Sequence, residues 1–483
     1  MTVSILTPEL RFANDMADVI RVFFGNIEVL PGVPGGDMTL THTEEVTGGV
    51  RRCRVTLSGT YNASCEKEAP VENDPLIEKR VHKRLIKQCV YAAMKEITGR
   101  TPPWGSLTGI RPTRLLYRGI EEGKTLPEAA EDMRREFDVQ EDKLSLLREI
   151  VTVQTALPQP RPTDIDLYVG IPFCVSRCAY CSFLSGEVGK GTQLSPYVEA
   201  LCREIENTLR LIDEKGLTPR AFYMGGGTPT SLPAPMLRKV LDAAQPFIKQ
   251  VKEVTVEAGR PDTIDEEKLL VIRDAGATRI SVNPQTMHDE TLVRIGRAHT
   301  RWQTEDAYAL ARRIGFHHIN MDLIAGLPGE DLPMFEKTLQ WSRGLSPESL
   351  TVHTLSIKHA SLLHLWEAEL PNGEMVGDMV RSGRAEARAR GMRPYYLYRQ
   401  KYMAGNLENV GYALPGHECL YNIGMMEETA HVLAVGAGAI SKRVDVTGGK
   451  IQRAPNVSDI EHYIARADEM AERKRQLWAR DGL

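Results

Sequence analysis

The sequence predicts an α/β chain: a partial (β/α)6 barrel, preceded by an N-terminal α+β domain and followed by a mainly irregular or helical C-terminal region. Three observations carry this. Short apolar runs recur from residue 166 onward, each followed by a helix-length segment. Alternation of that kind builds a parallel sheet with helical crossovers. Second, the stretch Pro158-Gln-Pro-Arg-Pro162 separates this pattern from the earlier chain, because so many prolines cannot continue a helix. Third, motifs rich in cysteine, glycine and charge fall at or just after the ends of the apolar runs, where parallel strands place their chemistry.

Residues 1–160 read as a separate α+β accessory domain. Val50–Leu57 alternates like a strand, and Leu40–Val46 can pair with it. A helix is expected from Pro75 to Ile97, with apolar residues at Leu76, Val81, Leu85, Val90 and Met94. The Pro- and Gly-rich segment Pro102–Arg118 follows, and then a charged helical region from Leu126 to Thr155. A lid, a substrate dock and a partner-binding domain all fit this unit, with closure of the barrel mouth the favoured role.

Residues 161–360 form the barrel. Its strands are expected at Asp166–Gly170, Ala221–Met224, Val254–Glu257, Arg279–Asn283, His318–Ile324 and Ser349–Ser356. Helices are expected at Pro196–Glu214, Ala234–Lys249, Asp265–Ala275, Thr304–Ile314 and Met334–Arg343. Six strands rather than eight leave the barrel open on one side. Residues 361–483 follow as a substrate-side region without repeats.

Composition sets outer bounds. The 483 residues are 42% hydrophobic and 26% charged, with a formal net charge of −4, which argues against a dedicated nucleic-acid binder. No run of about 18 apolar residues is present, and MTVSILTPELRF lacks the basic and apolar regions of a secretory leader, so a cytoplasmic protein without a membrane role is expected. Of the eight cysteines three are clustered, which points to a metal site in a reducing compartment. Cys53, Cys65, Cys89, Cys202 and Cys419 read as small hydrophobes or surface thiols.

The clustered three are Cys174, Cys178 and Cys181, on the loop after the first barrel strand. A mononuclear zinc site would want a fourth nitrogen or sulfur ligand, and no paired CxxC or HxxxH lies nearby. Three thiolates suit a [4Fe–4S] cluster with one iron left open for a cofactor or substrate. Directly after the second strand comes Met224-Gly-Gly-Gly-Thr-Pro-Thr230, whose glycines let the backbone approach a ligand closely. It is not a P-loop, since GxxxxGK[ST] is absent. Glu257 ends the third strand, Gln285 follows the fourth, Arg297 lies in IGRAHT, and Asp322 is on the fifth. An Arg suits a carboxylate and an Asp suits ribose hydroxyls, although each could singly be a surface salt-bridge partner.

In this order the motifs resemble the radical S-adenosylmethionine (SAM) enzymes, and within them the oxygen-independent coproporphyrinogen III oxidase-like family. YVGIPFC with its CxxxCxxC, GGGTPT, the Glu257 strand, the Gln285–Arg297 pair and DLIAGLPG carry the likeness over residues 160–360. PWGSLTGIRPTRL, GNLENVGYALPGHECLYNIGMMEE and VGAGAISK are similar to the HemZ-type branch, a coproporphyrinogen dehydrogenase class. The resemblance implies that Cys174, Cys178 and Cys181 hold a [4Fe–4S] cluster, and that Tyr168 touches SAM and takes part in catalysis. A structural tyrosine fits position 168 equally well from the residues alone. Tyr180, Gly226, Gly227, Thr228, Glu257, Gln285, Arg297 and Asp322 complete the implied cofactor site.

The implied reaction is oxidative decarboxylation of two propionates of coproporphyrinogen III to vinyl groups, giving protoporphyrinogen IX in haem biosynthesis. SAM cleaved by the reduced cluster would supply the radical, and a flavodoxin- or ferredoxin-type donor the electron. Arg177, Arg111 and Arg114 are candidate propionate anchors. Two departures stand out. Phe183 occupies the place of a fourth cysteine found in the best-studied oxidases. Tyr421–Met426 (YNIGMM) replaces the HNxxYW motif of the haem-trafficking HemW branch, with His417 and His431 as other possible iron ligands. Haem binding and transfer of the HemW type, or radical chemistry on another tetrapyrrole, are therefore the alternatives.

Overall fold

The computed structural model describes residues 1–25, 27–109, 111–181, 186–188, 193–356, 370–400, 403–445 and 450–479. They form two compact units, Met1–Arg148 with Gly405–Leu407, and Glu149–Ala404 with Glu408–Leu483.

The first unit is built on a five-stranded sheet of order β2-β1-β3-β4-β5, with β1 at Thr2–Leu6, β2 at Glu28–Pro31, β3 at Met38–Thr47, β4 at Val50–Gly59 and β5 at Ala63–Pro70. Alternation along β4 sends Cys53, Val55 and Leu57 inward. There they pack with residues of α1 (Ala13–Phe24) and α2 (Pro75–Thr98), Cys89 among them. Asp74 caps α2 by accepting from Leu76 and Ile77 N–H, and Gly99 ends it in the left-handed region. Shorter helices follow: α3 (Thr113–Glu121), α4 (Leu126–Phe137) and α5 (Glu141–Thr155).

The units divide inside α5, upstream of the proline-rich stretch. The last turns of α5 belong to the second unit, where Val153 joins a cluster with Tyr395 and Tyr421, and Gln154 Nε2 donates to Tyr395 O at 2.9 Å.

In the second unit the strands are β6 (Asp164–Ile171), the short pair β7 (Phe173–Cys174) and β8 (Gly186–Glu187), then β9 (Thr218–Gly226), β10 (Glu253–Gly259), β11 (Arg279–Val282), β12 (Ile319–Ala325) and β13 (Ser349–Thr354). Crossover helices are α6 (Leu194–Glu214), α7 (Ala234–Ile248), α8 (Glu266–Asp274), α9 (Asp289–Arg294), α10 (Arg301–Ile314) and α11 (Leu332–Leu345). Strands β6, β9, β10, β11, β12 and β13 lie side by side and parallel, as the alternation predicts.

The region after residue 360 differs from expectation. Besides α12 (Gly373–Ala389), α13 (Leu420–Glu427), α14 (Ile460–Ala465) and α15 (Ala467–Ala479), it contributes β14 (Arg393–Tyr398), β15 (Asn409–Ala413), β16 (His431–Val435), β17 (Ile440–Val444) and β18 (Ile451–Pro455). All five extend the barrel sheet to eleven strands, β14-β15-β13-β12-β11-β10-β9-β6-β16-β17-β18. β15 and β16 are buried at every position, so they lack the alternation that marks a half-exposed strand. Among the described residues no pairing joins β14 to β18. No described helix is long and apolar enough to cross a membrane.

One buried ion pair fastens the C-terminal helices to the barrel. Glu204 on α6 and Lys474 on α15 are both fully buried and paired. Glu204 also accepts from Tyr463 OH, from Asn456 Nδ2 at 2.8 Å and from Gly436 N at 2.8 Å. Removing one partner leaves an uncompensated buried charge, at a cost of roughly 3–5 kcal/mol. Glu204→Ala is therefore expected to lower the midpoint of chemical unfolding strongly, while Glu469→Ala, on the exposed face of α15, leaves it nearly unchanged.

Candidate active site

The parallel strands end on one side of the second unit, and the candidate residues gather there. β6 and β9 run in register, Tyr168 opposite Tyr223, Gly170 opposite Gly225 and Ile171 opposite Gly226. The chain then crosses beneath the cysteine loop. Gly227 N donates to Ile171 O at 2.8 Å, and Thr228 N to Phe173 O at 2.8 Å. At Gly227 a Cβ would lie 2.6 Å from Phe173 O and 3.0 Å from Cys174 Sγ, so glycine is required by the close approach. Thr228 Oγ1 is 3.5 Å from Cys174 Sγ. Gly226 has φ +111°, and its missing side chain leaves room for the Ile171 backbone at 3.1 Å.

The cysteine loop itself is pinned from the other side. Ala179 N donates to Ile295 O at 2.9 Å, and Cys181 N to Cys178 O at 3.0 Å. Cys178 is buried, whereas Cys174 and Cys181 are partly exposed. Phe183 lies outside the described residues. Among the described residues no three His, Cys, Asp or Glu side chains are grouped to hold a metal ion. On a four-iron cluster each cysteine takes a different iron, so the three sulfurs need not converge on one ion.

Arg297 follows α9 and donates through Nη2 to Tyr180 OH at 3.0 Å. Among the described residues its Nε and Nη1 are buried without a hydrogen-bond partner, as is Asn283 Oδ1. Buried guanidinium donors without an acceptor are costly, and a ligand carboxylate is the acceptor they match. Gln285 sits at φ +70°, a conformation that costs a side-chain-bearing residue of order 1 kcal/mol. It is held there by Gln285 N donating to Asp322 O at 3.0 Å and Ile324 N to Gln285 O at 3.0 Å.

Two carboxylates inside the barrel titrate in opposite directions. Burial pushes Glu257 up to about 7, partly offset by a hydrogen bond from Tyr223 OH. For Asp322 burial acts the same way, but the neighbouring His353, Asn320 and Thr351 side chains outweigh it and hold the carboxyl below its usual value. Asn320 Nδ2 donates to Asp322 Oδ1 at 2.8 Å, and His353 Nε2 lies 3.6 Å from Oδ2. One carboxyl thus holds its proton up to about neutral pH while the other stays charged in the same chamber.

The structure places Tyr168 in a half-buried stack, its ring centroid 6.3 Å from Tyr223 and 6.2 Å from Tyr421. Tyr223 and His353 are not singled out by any sequence motif, and Tyr421 is singled out only at the place of a haem-binding motif, not as a neighbour of Tyr168. Pairing parity could have found Tyr223, since it lies opposite Tyr168 and two residues before the glycine run. Tyr421 arrives from the far end of the chain. Arg177 is exposed on the cysteine loop, and Arg111 and Arg114 belong to the first unit.

These residues fit a [4Fe–4S] cluster and SAM: three cysteine thiols, a glycine cradle a Cβ would fill, an orphaned guanidinium, and a charged and a neutral carboxyl. The Glu257 shift has a measurable consequence. A carboxyl whose folded value is raised favours folding fully below its unfolded value of 4.5, and this contribution is lost as pH rises through about 7. Glu257→Gln should therefore flatten the fall in thermal midpoint of the cofactor-free protein between about pH 4.5 and about 7. An unchanged slope would mean the carboxyl is not neutral in the folded chain.

Comparison with known proteins agrees with this geometry. The model of the Radical SAM superfamily matches residues 168–342. The chain is 39% identical over 483 residues to the oxygen-independent coproporphyrinogen-III oxidase-like protein HemZ of Bacillus subtilis, covering 96% of this chain and 95% of that protein. The heme chaperone HemW of the same organism is 30% identical over 304 residues, 62% of this chain and 74% of HemW. Among solved structures, coproporphyrinogen III oxidase (HemN) from Escherichia coli shares the fold, with a TM-score of 0.52 and 22% identity over 64% of this chain and 71% of HemN. The match to HemZ spans nearly the full length of both proteins, and the chain belongs to the oxygen-independent coproporphyrinogen-III oxidase-like, HemZ-type family of radical SAM enzymes, whose cofactors are a [4Fe–4S] cluster and SAM.

Proposed function

We propose that this radical SAM oxidoreductase carries out oxidative decarboxylation of coproporphyrinogen III propionates to vinyl groups, giving protoporphyrinogen IX. The observation that carries the reading is the meeting of the cysteine loop and the glycine run at the strand ends, beside the buried, half-satisfied Arg297 guanidinium. Near-full-length similarity to HemZ adds the tetrapyrrole class. Cys174, Cys178 and Cys181 would hold the cluster. Bound there, the cluster and SAM would supply one-electron chemistry: reductive cleavage at the sulfonium and abstraction of one hydrogen atom from each propionate β-carbon, the substrate's second electron passing to a one-electron acceptor as CO2 leaves. A flavodoxin- or ferredoxin-type donor provides the electron.

The chain's own residues bind, orient and shield. Gly226, Gly227 and Thr228 offer backbone groups to the methionyl end, and Arg297 pairs its carboxylate. Asp322, held ionised, accepts ribose hydroxyls, with Gln285 fixing the turn beside it. Glu257 keeps a proton up to about pH 7 and can give it up when a cation binds. Tyr168 and Tyr223 wall the chamber against water, and Tyr180 steadies Arg297.

A HemW-type haem-transfer role has less support. Tyr421 is buried in the tyrosine stack, and His431 is engaged by Pro162 O at 2.9 Å and Val444 N at 3.0 Å. Neither offers an open ligand for haem iron.

Anaerobically reconstituted protein, given SAM, dithionite and coproporphyrinogen III, should form harderoporphyrinogen and then protoporphyrinogen. Haem retention without turnover would instead favour the carrier role, and 5′-deoxyadenosine without a vinyl product would favour another substrate. Cys178→Ala should lose both the brown iron–sulfur absorbance and SAM cleavage. Gly227→Ala should weaken SAM retention at least about tenfold, because the added Cβ meets Phe173 O at 2.6 Å and shifts the cradle.

A further inference from the structure

Immediately after β10, Arg260 is 3% exposed and carries a charge that none of the proposed cofactor contacts uses. Its guanidinium is divided between two tasks. Nε and Nη2 form a two-pronged pair with Asp262, at 3.0 Å to Oδ1 and 2.8 Å to Oδ2. The third nitrogen, Nη1, turns to the cysteine loop, donating to Ser176 O at 3.0 Å and Ser176 Oγ at 2.9 Å, and lying 3.9 Å from Cys178 Sγ. Behind the pair, His299 Nδ1 is 4.0 Å from Asp262 Oδ1. The side chain thus bridges from the end of β10 to a loop eighty residues earlier in the chain.

We propose that Arg260, oriented by Asp262, positions the cysteine loop and raises the electron affinity of the cluster bound there; this rests on the cluster assignment proposed above. Hydrogen bonds to cysteine sulfur and nearby charge are what a protein uses to tune an iron–sulfur centre. A reduced cluster is the more negative state, so a cation at the sulfur of one ligand favours it. The carboxylate of Asp262 has a double effect. It fixes the guanidinium in a plane that leaves Nη1 for the loop, and its negative charge tempers the cation. The two residues should therefore act on reduction with opposite sign, which a merely structural pair would not do.

The test is potentiometric titration of anaerobically reconstituted full-length protein, followed by electron paramagnetic resonance and paired with iron and sulfide content. Arg260→Met should disfavour reduction about tenfold, equivalent to ~59 mV lower for a one-electron couple, and should lower iron content. Asp262→Asn should move the potential upward, and Arg260→Lys should fall between wild type and Arg260→Met. Arg260→Met with full iron content and an unchanged potential overturns the proposal, as do shifts of Arg260→Met and Asp262→Asn in the same direction. If Arg260→Met takes up no iron, Asp262→Asn, which keeps the cation, decides: an unchanged potential there overturns it. The two readings fail separately. Wild type that assembles no iron–sulfur centre removes the cluster assignment, whereas wild type that assembles one beside indifferent variants removes only the role of Arg260.

Discussion

The parallel pairing of β6 with β9 is the constraint on which the site depends. Its register sets Ile171 beside Gly226, and the two chains leave the sheet so close that Gly227 N and Thr228 N bond to backbone carbonyls of the cysteine strand. A shift of one residue would send every side chain of β9 to the opposite face. Tyr223 would leave the chamber and the glycines would no longer meet the loop. The motif order of the sequence is therefore a statement about register: the CxxxCxxC loop and the glycine run work only because their strands are neighbours in space.

Around that junction the barrel sorts charge by environment. Glu257 sits under the glycine run, where a Cβ at Gly225 would come 2.7 Å from its Oε2, and burial outweighs the hydrogen bonding from Tyr223 and Gly226 and raises it to about 7. Asp322, on the next strand but one, gathers Asn320, Thr351 and His353 and stays ionised. Arg297 completes the set with two donors, Nε and Nη1, that have no acceptor among the described residues. A polypeptide that leaves a guanidinium half satisfied in its interior forgoes stability there, and recovers it when a ligand carboxylate arrives.

Much of this was legible in the sequence, and the reasons are specific. Five of the six parallel strands run into a motif at their C-terminal ends, so β6 and β9 through β12 announced themselves by position as well as by apolar content, and β13 by apolar content alone. The proposed cofactor residues needed only that order. What stayed hidden depends on long-range packing. β15 and β16 are short and buried throughout, so no period distinguishes them from core helix or loop. Arg260 and Asp262 look like ordinary polar residues in a turn until the loop bearing Cys178 is folded against them. Tyr421 is far from the barrel motifs in sequence, and only the strands that follow it bring it home.

That last placement explains why the C-terminal region belongs to the barrel rather than beside it. Glu253, at the start of β10, accepts the first N–H groups of α13 from Leu420 and Tyr421 at 2.8 Å each, so the helix is capped by a barrel strand instead of by its own preceding residue. Arg220, at the start of β9, pairs with Asp166 and reaches Leu420 O. The helix is thus anchored at the strand N-termini, opposite the cysteine loop. From there Tyr421 projects inward onto Tyr223, ring centroids 4.3 Å apart. Tyrosine rings contributed from both ends of the unit, Tyr168, Tyr223 and Tyr421, thus stack on one another at this end of the chamber. The thiols, the glycine cradle and the half-satisfied guanidinium lie together at the other end, on the strand C-terminal face.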